Sequence, residues 1–398
     1  MPLRRNTVLA VSTIPLLLAL TGCVANHTGG NAITVTMTDD GCAVSHSSTT
    51  SGPASFKISN TGSDVNEFEI VAADKSTIVT EKENIGPGTT VSHVVELQPG
   101  EYFTGCKFRQ VGALKGLAAF SVTGEADATA AALSAAKQQA VDGYLSYVRA
   151  QLATLIVQTK TFTDAYVAGD DALARSLYAS TRSSYETIEP IAESFGDLDP
   201  KIDYREVDAL AENLEWTGFH RIEKDLWPPA AGALNSDGTD ANSGWTASTP
   251  AERAQFAKLL NSDIAHLQSL VTATGFSLGV SDISNGAISL LDEVATTKIT
   301  GEEEWWSGTD LADIEANVAG AQEAVKLVAP LASDSALVSN IQTQFDKLNA
   351  MLAGYGSIAA GFPNYTTLTD AQKKELSDHV NAVSEPLSKL TAEILGTR

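Results

Sequence analysis

Trp216-Thr217-Gly218-Phe219-His220-Arg221-Ile222-Glu223-Lys224-Asp225-Leu226-Trp227 is the stretch on which the reading of this chain turns. It has the pattern of a helix, and His220 and Glu223, three residues apart, fall on one face of it. An imidazole and a carboxylate facing the same way are natural partners for a metal ion. The expectation that follows is a helical protein in which this segment lines a metal site.

The residues around it support that expectation. From about residue 128 to the end the chain is rich in Ala and Leu, and Tyr144, Tyr147, Val148, Leu152 and Leu155 trace one apolar stripe. Further helices are expected near 171–195, 204–226, 251–273, 281–297, 309–329, 334–354 and 369–395, with Thr249, Asp334 and Thr369 as N-caps. About eight antiparallel helices suit a pair of four-helix bundles. Pro228 to Pro250, with its Gly, Asn, Ser and Asp, reads as a long polar loop. Carboxylates recur near the His220 segment: Glu186 and Glu189 on one helix face, the acidic turn Asp197-Leu198-Asp199-Pro200-Lys201-Ile202-Asp203, and Asp292-Glu293 inside an apolar helix. Carboxylates inside a bundle are costly unless they hold a cation or one another. Taken singly, each also fits a solvated surface group or a helix cap.

Residues 32–124 follow a different pattern. Ile33–Met37, Ala54–Ile58, Phe68–Val71, Thr90–Leu97 and Ala118–Val122 alternate as strands do, and Ser51-Gly52-Pro53, Asn60-Thr61-Gly62, Gly86-Pro87-Gly88 and Pro99-Gly100-Glu101 separate them. Short strands at this spacing indicate a β-sandwich. The Ala-, Thr- and Asp-rich segment from Thr123 to Ala136 reads as the junction.

At the amino end, Arg4-Arg5, an apolar run from Val8 to Leu20 broken by Pro15, and Leu20-Thr21-Gly22-Cys23 have the order of an export signal ending in a lipobox. This predicts removal of 1–22, a lipid anchor on Cys23, a tether at 23–31 and an extracytoplasmic location on the membrane surface. The net charge of −23 becomes more negative without Arg4 and Arg5. Such a chain repels nucleic acid and anionic lipid and is compatible with cation capture.

The run Gly218–Trp227, preceded by Ser194-Phe195-Gly196-Asp197-Leu198-Asp199-Pro200, resembles the signature of the imelysin-like family. The longer likeness is to the EfeO-type components of bacterial iron-uptake systems. It extends through Glu83–Gly88, Gly286-Ala287, Leu290–Ala295 and Lys298–Glu304, in order, over nearly the whole chain after the signal. The resemblance implies a multidomain chain: an N-terminal cupredoxin-like β-sandwich at 32–124, then an all-α, double four-helix-bundle imelysin-like domain at 125–398. It implies a metal site carried by Glu189, Asp203, His220 and Glu293, with Glu186 and Glu223 beside them. It implies iron, Fe(II) or Fe(III), as the ion bound, delivery to a membrane permease, and a haem peroxidase as a companion. Oxygen-rich ligation with one imidazole also suits Mn(II) or Zn(II).

Without Cys23, the β-domain holds two cysteines, Cys42 and Cys106, which are open to a disulfide or to metal binding. Cys106 stands where a cupredoxin places its copper ligand. The residues after it, Lys107-Phe108-Arg109-Gln110-Val111, lack the His and Met of a type 1 copper centre. The family likeness points instead to an atypical site using Cys42, Cys106, Glu67 and Glu69, for which copper and zinc are further candidates. His46 and His93 have no assigned place. Two other functions compete with iron capture. A metallopeptidase would use the His-x-x-Glu pair, but the chain has no His-Glu-x-x-His. A module for polysaccharide or a metal chelate would stack sugars on Trp216, Trp227, Trp245, Trp305 and Trp306, which fit core or interface positions equally.

Overall fold

In the computed structural model the described residues are 32–124 and 135–397. The expected signal, the tether, Cys23 and most of the junction lie outside them. Nine strands come first: β1 (Ile33–Thr38), β2 (Gly41–Val44), β3 (Ser48–Thr50), β4 (Gly52–Asn60), β5 (Asn66–Ala72), β6 (Ile78–Ile85), β7 (Thr90–Leu97), β8 (Gly100–Phe108) and β9 (Lys115–Thr123). They form two sheets, ordered β2-β1-β4-β7 and β3-β9-β8-β5-β6. Along β1, buried and exposed residues alternate strictly, as a half-buried strand requires. Phe56 of the first sheet sits 5.6 Å from Phe68 and 6.0 Å from Phe120 of the second, ring centre to ring centre, so aromatic packing joins the layers.

The remainder is helical: α1 (Ala135–Ala168), α2 (Asp171–Glu186), α3 (Glu189–Glu193), α4 (Asp199–Ile202), α5 (Glu206–Ala211), α6 (Gly218–Leu226), α7 (Pro250–Thr272), α8 (Val280–Thr296), α9 (Asp310–Val328), α10 (Ser335–Tyr355), α11 (Asp370–Leu387) and α12 (Leu390–Leu395). Helices α1, α2, α6 and α7 close one ring of contacts, and α8, α9, α10 and α11 close another. Packing of α9 on α1 and α2 joins the two bundles. Thr249, Asp334 and Thr369 all accept backbone N–H groups at the starts of α7, α10 and α11, as expected of N-caps.

Three expected helices are broken, and two of the breaks shape the site. Residues 171–195 form α2 and α3, interrupted at Thr187 and Ile188, with Pro190 in the first turn of the second piece, where a missing N–H costs nothing. Residues 204–226 form α5 and α6. Their separation is set at Gly218, whose φ of 83° favours glycine and whose Cα passes so close to Ile202 that a Cβ would lie 2.2 Å from its carbonyl oxygen. The third break, in 369–395, falls between α11 and α12.

The β-sandwich and the bundles touch through specific groups. Lys82 of β6 pairs with Asp292 of α8. Asn285 donates to the Val94 carbonyl at 3.0 Å, the Ile78 N–H donates to the Ser194 carbonyl at 3.1 Å, and the Gly112 N–H donates to Glu212 at 2.9 Å. These contacts hold β6 over α3 and α8 and leave a cleft between the domains.

Candidate metal centre

Every residue of α6 is buried, polar ones included. The helix is short because the turn at Gly218 and the cap at Trp227 bound it, so His220 and Glu223 are held on a segment of about two and a half turns. His220 Nδ1 is 3.1 Å from Glu223 Oε2. Its Nε2 lies 3.2 Å from Glu303 Oε1 and 3.6 Å from Asp203 Oδ1. One ligand atom each from Asp203, His220 and Glu303 falls within a 4.8 Å span, as do atoms of Glu186, Glu189 and Asp203, of His220, Glu223 and Glu304, and of Glu189, Glu193 and Glu293. Four overlapping triads therefore make one continuous acidic centre.

Two buried cations sit inside it. The Arg182 guanidinium contacts Glu186 and Asp203, reaches Glu304 at 2.5 Å, and lies 3.6 Å from Glu303 and 3.7 Å from Asp313. Lys298 Nζ lies 2.5 Å from Glu186, 3.0 Å from Glu189 and 3.3 Å from Glu293. Six buried carboxylates (Glu186, Glu189, Asp203, Glu303, Glu304 and Asp313) thus surround two permanent positive charges. Burial, with the charges of Glu186 and Glu293, raises Glu189 well above the usual carboxylate range, against the pull of Lys298. Burial and Glu304 do the same to Asp313, whose two oxygens have no hydrogen-bond donor. Glu303 goes the other way: despite burial, Lys298 and His220 hold it well below that range. Burial and Arg182 push the His220 imidazole down, but its bonds to Glu223 and Glu303 and the charge of Asp203 prevail and raise it to about 10. With no metal bound, His220 is an imidazolium at neutral pH.

The centre opens into the cleft between the domains, a cavity of about 400 Å³. Asp203, Glu189 and Glu303 line its inner end, Glu193 and Glu293 its helical wall, and Glu67, Glu81 and Glu83 its β wall. On the far side of His220, Lys224 lies over the rings of Trp306, Trp245 and Trp216 at 4.9, 5.5 and 5.7 Å. Three of the five tryptophans thus surround Lys224, and a fourth, Trp227, packs on Tyr178 at 5.5 Å.

Of the residues expected from sequence, Glu186, Glu189, Asp203, His220 and Glu223 converge. Glu293 lies at the cleft edge of the same centre, joined to it through Glu189 and Lys298. Sequence reasoning missed Arg182, Lys298, Glu303, Glu304 and Asp313 as members. Glu303 sits in the run Glu302-Glu303-Glu304, where spacing alone does not single it out. Arg182 lies four residues before Glu186, the only local sign of their pairing.

The β-domain needs a correction. Cys42 and Cys106 are joined in a disulfide that ties β2 of one sheet to β8 of the other, so neither offers a thiolate to a metal. Glu67 and Glu69 are buried nearby, with Lys107 Nζ 2.9 Å from Glu69, and they group with Glu81 instead of with the sulfurs. His93 is buried against the Thr80 hydroxyl at 2.7 Å, and burial together with Lys82 lowers it to about 3. His46 bonds to exposed Ser45.

Comparison with known proteins agrees with this architecture. The imelysin family model (peptidase family M75) matches residues 140–390, and a model of the cupredoxin-like domain matches residues 11–116. The proteins named iron uptake system component EfeO from Escherichia coli (strain K12) and Shigella flexneri are each 37% identical to this chain over 373 residues, covering 92% of both chains. A solved structure from Parabacteroides distasonis, named for an iron-regulated protein A precursor, covers 65% of this chain and 95% of its own at 14% identity and a TM-score of 0.44. With the helical half matched throughout and relatives aligned over nearly its full length, this chain belongs to the imelysin family, in the form that carries an N-terminal cupredoxin-like domain.

Proposed function

We propose that the chain is the extracytoplasmic iron-binding component of an iron-uptake system, capturing iron at the His220 centre and handing it to a membrane permease, with a haem peroxidase as its companion. The observation that carries this reading is the buried triad Asp203–His220–Glu303, set among more carboxylates than cations and open to an acidic cleft. The similarity to relatives named as iron-uptake components supports iron as the ion. In this reading His220 binds through Nε2, because Nδ1 is committed to Glu223. Asp203 and Glu303 are the adjacent oxygen ligands, and Glu189 is next in line toward the cleft. Binding displaces the Nε2 proton, so affinity falls as pH falls. The anchor on Cys23 would hold the protein at the membrane without any spanning segment; among the described residues no helix is long and apolar enough to cross one.

The peptidase classification of the family does not favour hydrolysis here. Among the described residues His220 is the sole imidazole of the centre, and both its nitrogens face carboxylates. We read the chain as a carrier, not an enzyme.

The test is equilibrium iron binding by the full chain, ferrous under argon and ferric in air, in wild type, His220→Ala and Asp203→Asn. A loss of about 100-fold or more in each variant is expected, larger than the effect of removing an outer-shell partner. Undiminished iron affinity in both variants, with the fold intact, would overturn the reading.

A further inference from the structure

A second cavity between the domains, of about 310 Å³, shares only Ile78 and Glu81 with the metal cleft. Ile78 and Val79 of β6 line it from the β-sandwich; Phe195, just after α3, and Phe276 and Leu278, between α7 and α8, line it from the bundles. All five are half-buried, and the rings of Phe195 and Phe276 lie 5.6 Å apart, centre to centre. Apolar surface left half-covered inside a domain interface favours an occupant that removes it from water. Tyr144 of α1 also lines the cavity and is only 2% exposed. Among the described residues its hydroxyl has no hydrogen-bond partner. Buried hydroxyls are nearly always bonded, so this one calls for a partner from the cavity. The charges are one-sided: Glu81 and Asp282 line the cavity, and among the described residues no lysine, arginine or histidine does.

We propose that this cavity binds a small neutral ring compound, of one or two rings, bearing a hydroxyl or carbonyl that meets the Tyr144 hydroxyl. Its size falls at the lower end of small-molecule sites, about 300–1,000 Å³, which favour domain interfaces and are mostly apolar with a few polar groups that fix the ligand. Phe195 and Phe276 offer ring faces and edges to an aromatic guest. The Tyr144 hydroxyl both donates and accepts, so it can hold an alcohol, a phenol or a carbonyl. An anion is disfavoured because it would meet two carboxyl groups and no counter-charge. The site uses none of the ligands proposed for iron, and it stands whether or not the His220 centre captures that ion.

The probe is 2-naphthol, with 2-naphthoate as the anion of the same frame, each titrated against the full chain by ligand-observed NMR. One saturable site for 2-naphthol is expected, with 2-naphthoate at least about tenfold weaker for want of a counter-charge. Tyr144→Phe keeps the ring, removes the hydroxyl, and should weaken 2-naphthol about three- to tenfold. Ser289 of α8 lines the cavity and is half-buried, so Ser289→Phe places a ring inside it and should abolish binding in protein whose melting shows it folded. No saturable binding of 2-naphthol, 2-naphthoate binding as tightly, or undiminished binding in Tyr144→Phe or Ser289→Phe would overturn the proposal. Bromine anomalous scattering from wild-type crystals soaked in 6-bromo-2-naphthol gives a readout free of any variant. A peak beside Phe195 and Phe276 supports the site, and peaks only elsewhere overturn it.

Discussion

Glu223 Oε2 lies 3.1 Å from His220 Nδ1, while Glu223 Oε1 accepts the backbone N–H groups of Trp306 and Ser307 at 3.0 and 2.7 Å. One carboxylate thus fixes the imidazole ring and ties it to the loop that carries Glu303 and Glu304. The His-x-x-Glu spacing is a positioning device: the glutamate holds the histidine so that Nε2 faces Asp203 and Glu303. Glu223→Gln keeps the shape but removes the charge that helps raise His220. We expect metal affinity to fall about 10- to 100-fold, the usual cost of losing such a partner. The His220 titration followed by imidazole NMR in the metal-free protein should move down from about 10. An unchanged titration would show that Glu223 does not set the ring's protonation.

Metal-free stability should fall as pH rises. Burial raises Glu293 and Glu81 to about 8 and Asp199 to about 7. A carboxyl whose folded pKa is raised contributes stability that is complete below its ordinary value near 4 and is lost as pH climbs through the folded value. His220, raised to about 10, has the same sign: its contribution is present below its ordinary value and lost toward pH 10. Glu303, held low, acts in the opposite sense, but its contribution fails only on the acid side of its ordinary value. The melting temperature of the metal-free chain should therefore drop between pH 5 and 9, on the order of 5 °C. The increment added by saturating metal should grow over the same range. A metal-free melting temperature that rises from pH 5 to 9 would contradict this assignment of charges.

The two domain patterns and the same-face pairs Glu186–Glu189 and His220–Glu223 were legible in the sequence because they rest on local rules, whereas the choice of Glu189, Asp203, His220 and Glu293 as a set rested on the family resemblance. Alternation marks β1, helical spacing marks α1, and three residues of separation put Glu223 beside His220. What escaped is non-local or disguised. β6, Ile78–Ile85, carries Glu81, Lys82 and Glu83 in succession, so it lacks the apolar alternation of a strand; those charges face the cleft and Asp292 and not a core. Nothing local in the sequence marks Arg182 and Lys298 as buried. Their burial becomes evident only when Asp203, Glu303 and Glu186 are brought around them from separate elements. Pro190, which can end or kink a helix, was the local sign of the break before α3; the break before α6 was hidden because Gly218 departs from the helix for a tertiary reason, to let the chain pass Ile202.

The disulfide gives a prediction confined to one domain. Cys42 and Cys106 are 64 residues apart, and their bond links the two sheets of the sandwich. The unreduced protein should contain no titratable thiol in the mature β-domain. Reduction, or Cys42→Ser/Cys106→Ser, should cost that domain about 2–5 kcal/mol. The helical centre shares no ligand with it, so metal affinity at His220 should shift less than about threefold, within ordinary context effects. Two free thiols in the untreated protein would remove the bond and reopen Cys42 and Cys106 as metal ligands.

Lys298 offers the sharpest separation of affinity from stability. Its ammonium is fully buried and lies within 3.3 Å of three carboxylates, Glu186, Glu189 and Glu293, which border both the inner centre and the cleft. In the metal-free chain it offsets charge that would otherwise be uncompensated; toward an arriving cation it is a repulsive neighbour. Lys298→Met should therefore do two opposite things. Removing one partner of a buried ionic cluster should destabilise the metal-free protein, by about 3–5 kcal/mol. Removing a positive charge from beside the ligands should tighten metal binding, by roughly tenfold, since two unit charges a few ångströms apart interact by a few kcal/mol even in a screened interior and part of that is lost to protonation of the carboxylates. Lys298→Arg should restore both stability and the weaker affinity. A variant that is merely damaged would bind metal more weakly, so a looser constant in Lys298→Met, measured by competition with a chelator in protein shown to be folded, would mean that Lys298 is structural and does not moderate the site. A tighter constant would mean that Lys298 limits how firmly the bound ion is held, which is what the proposed carrier role requires.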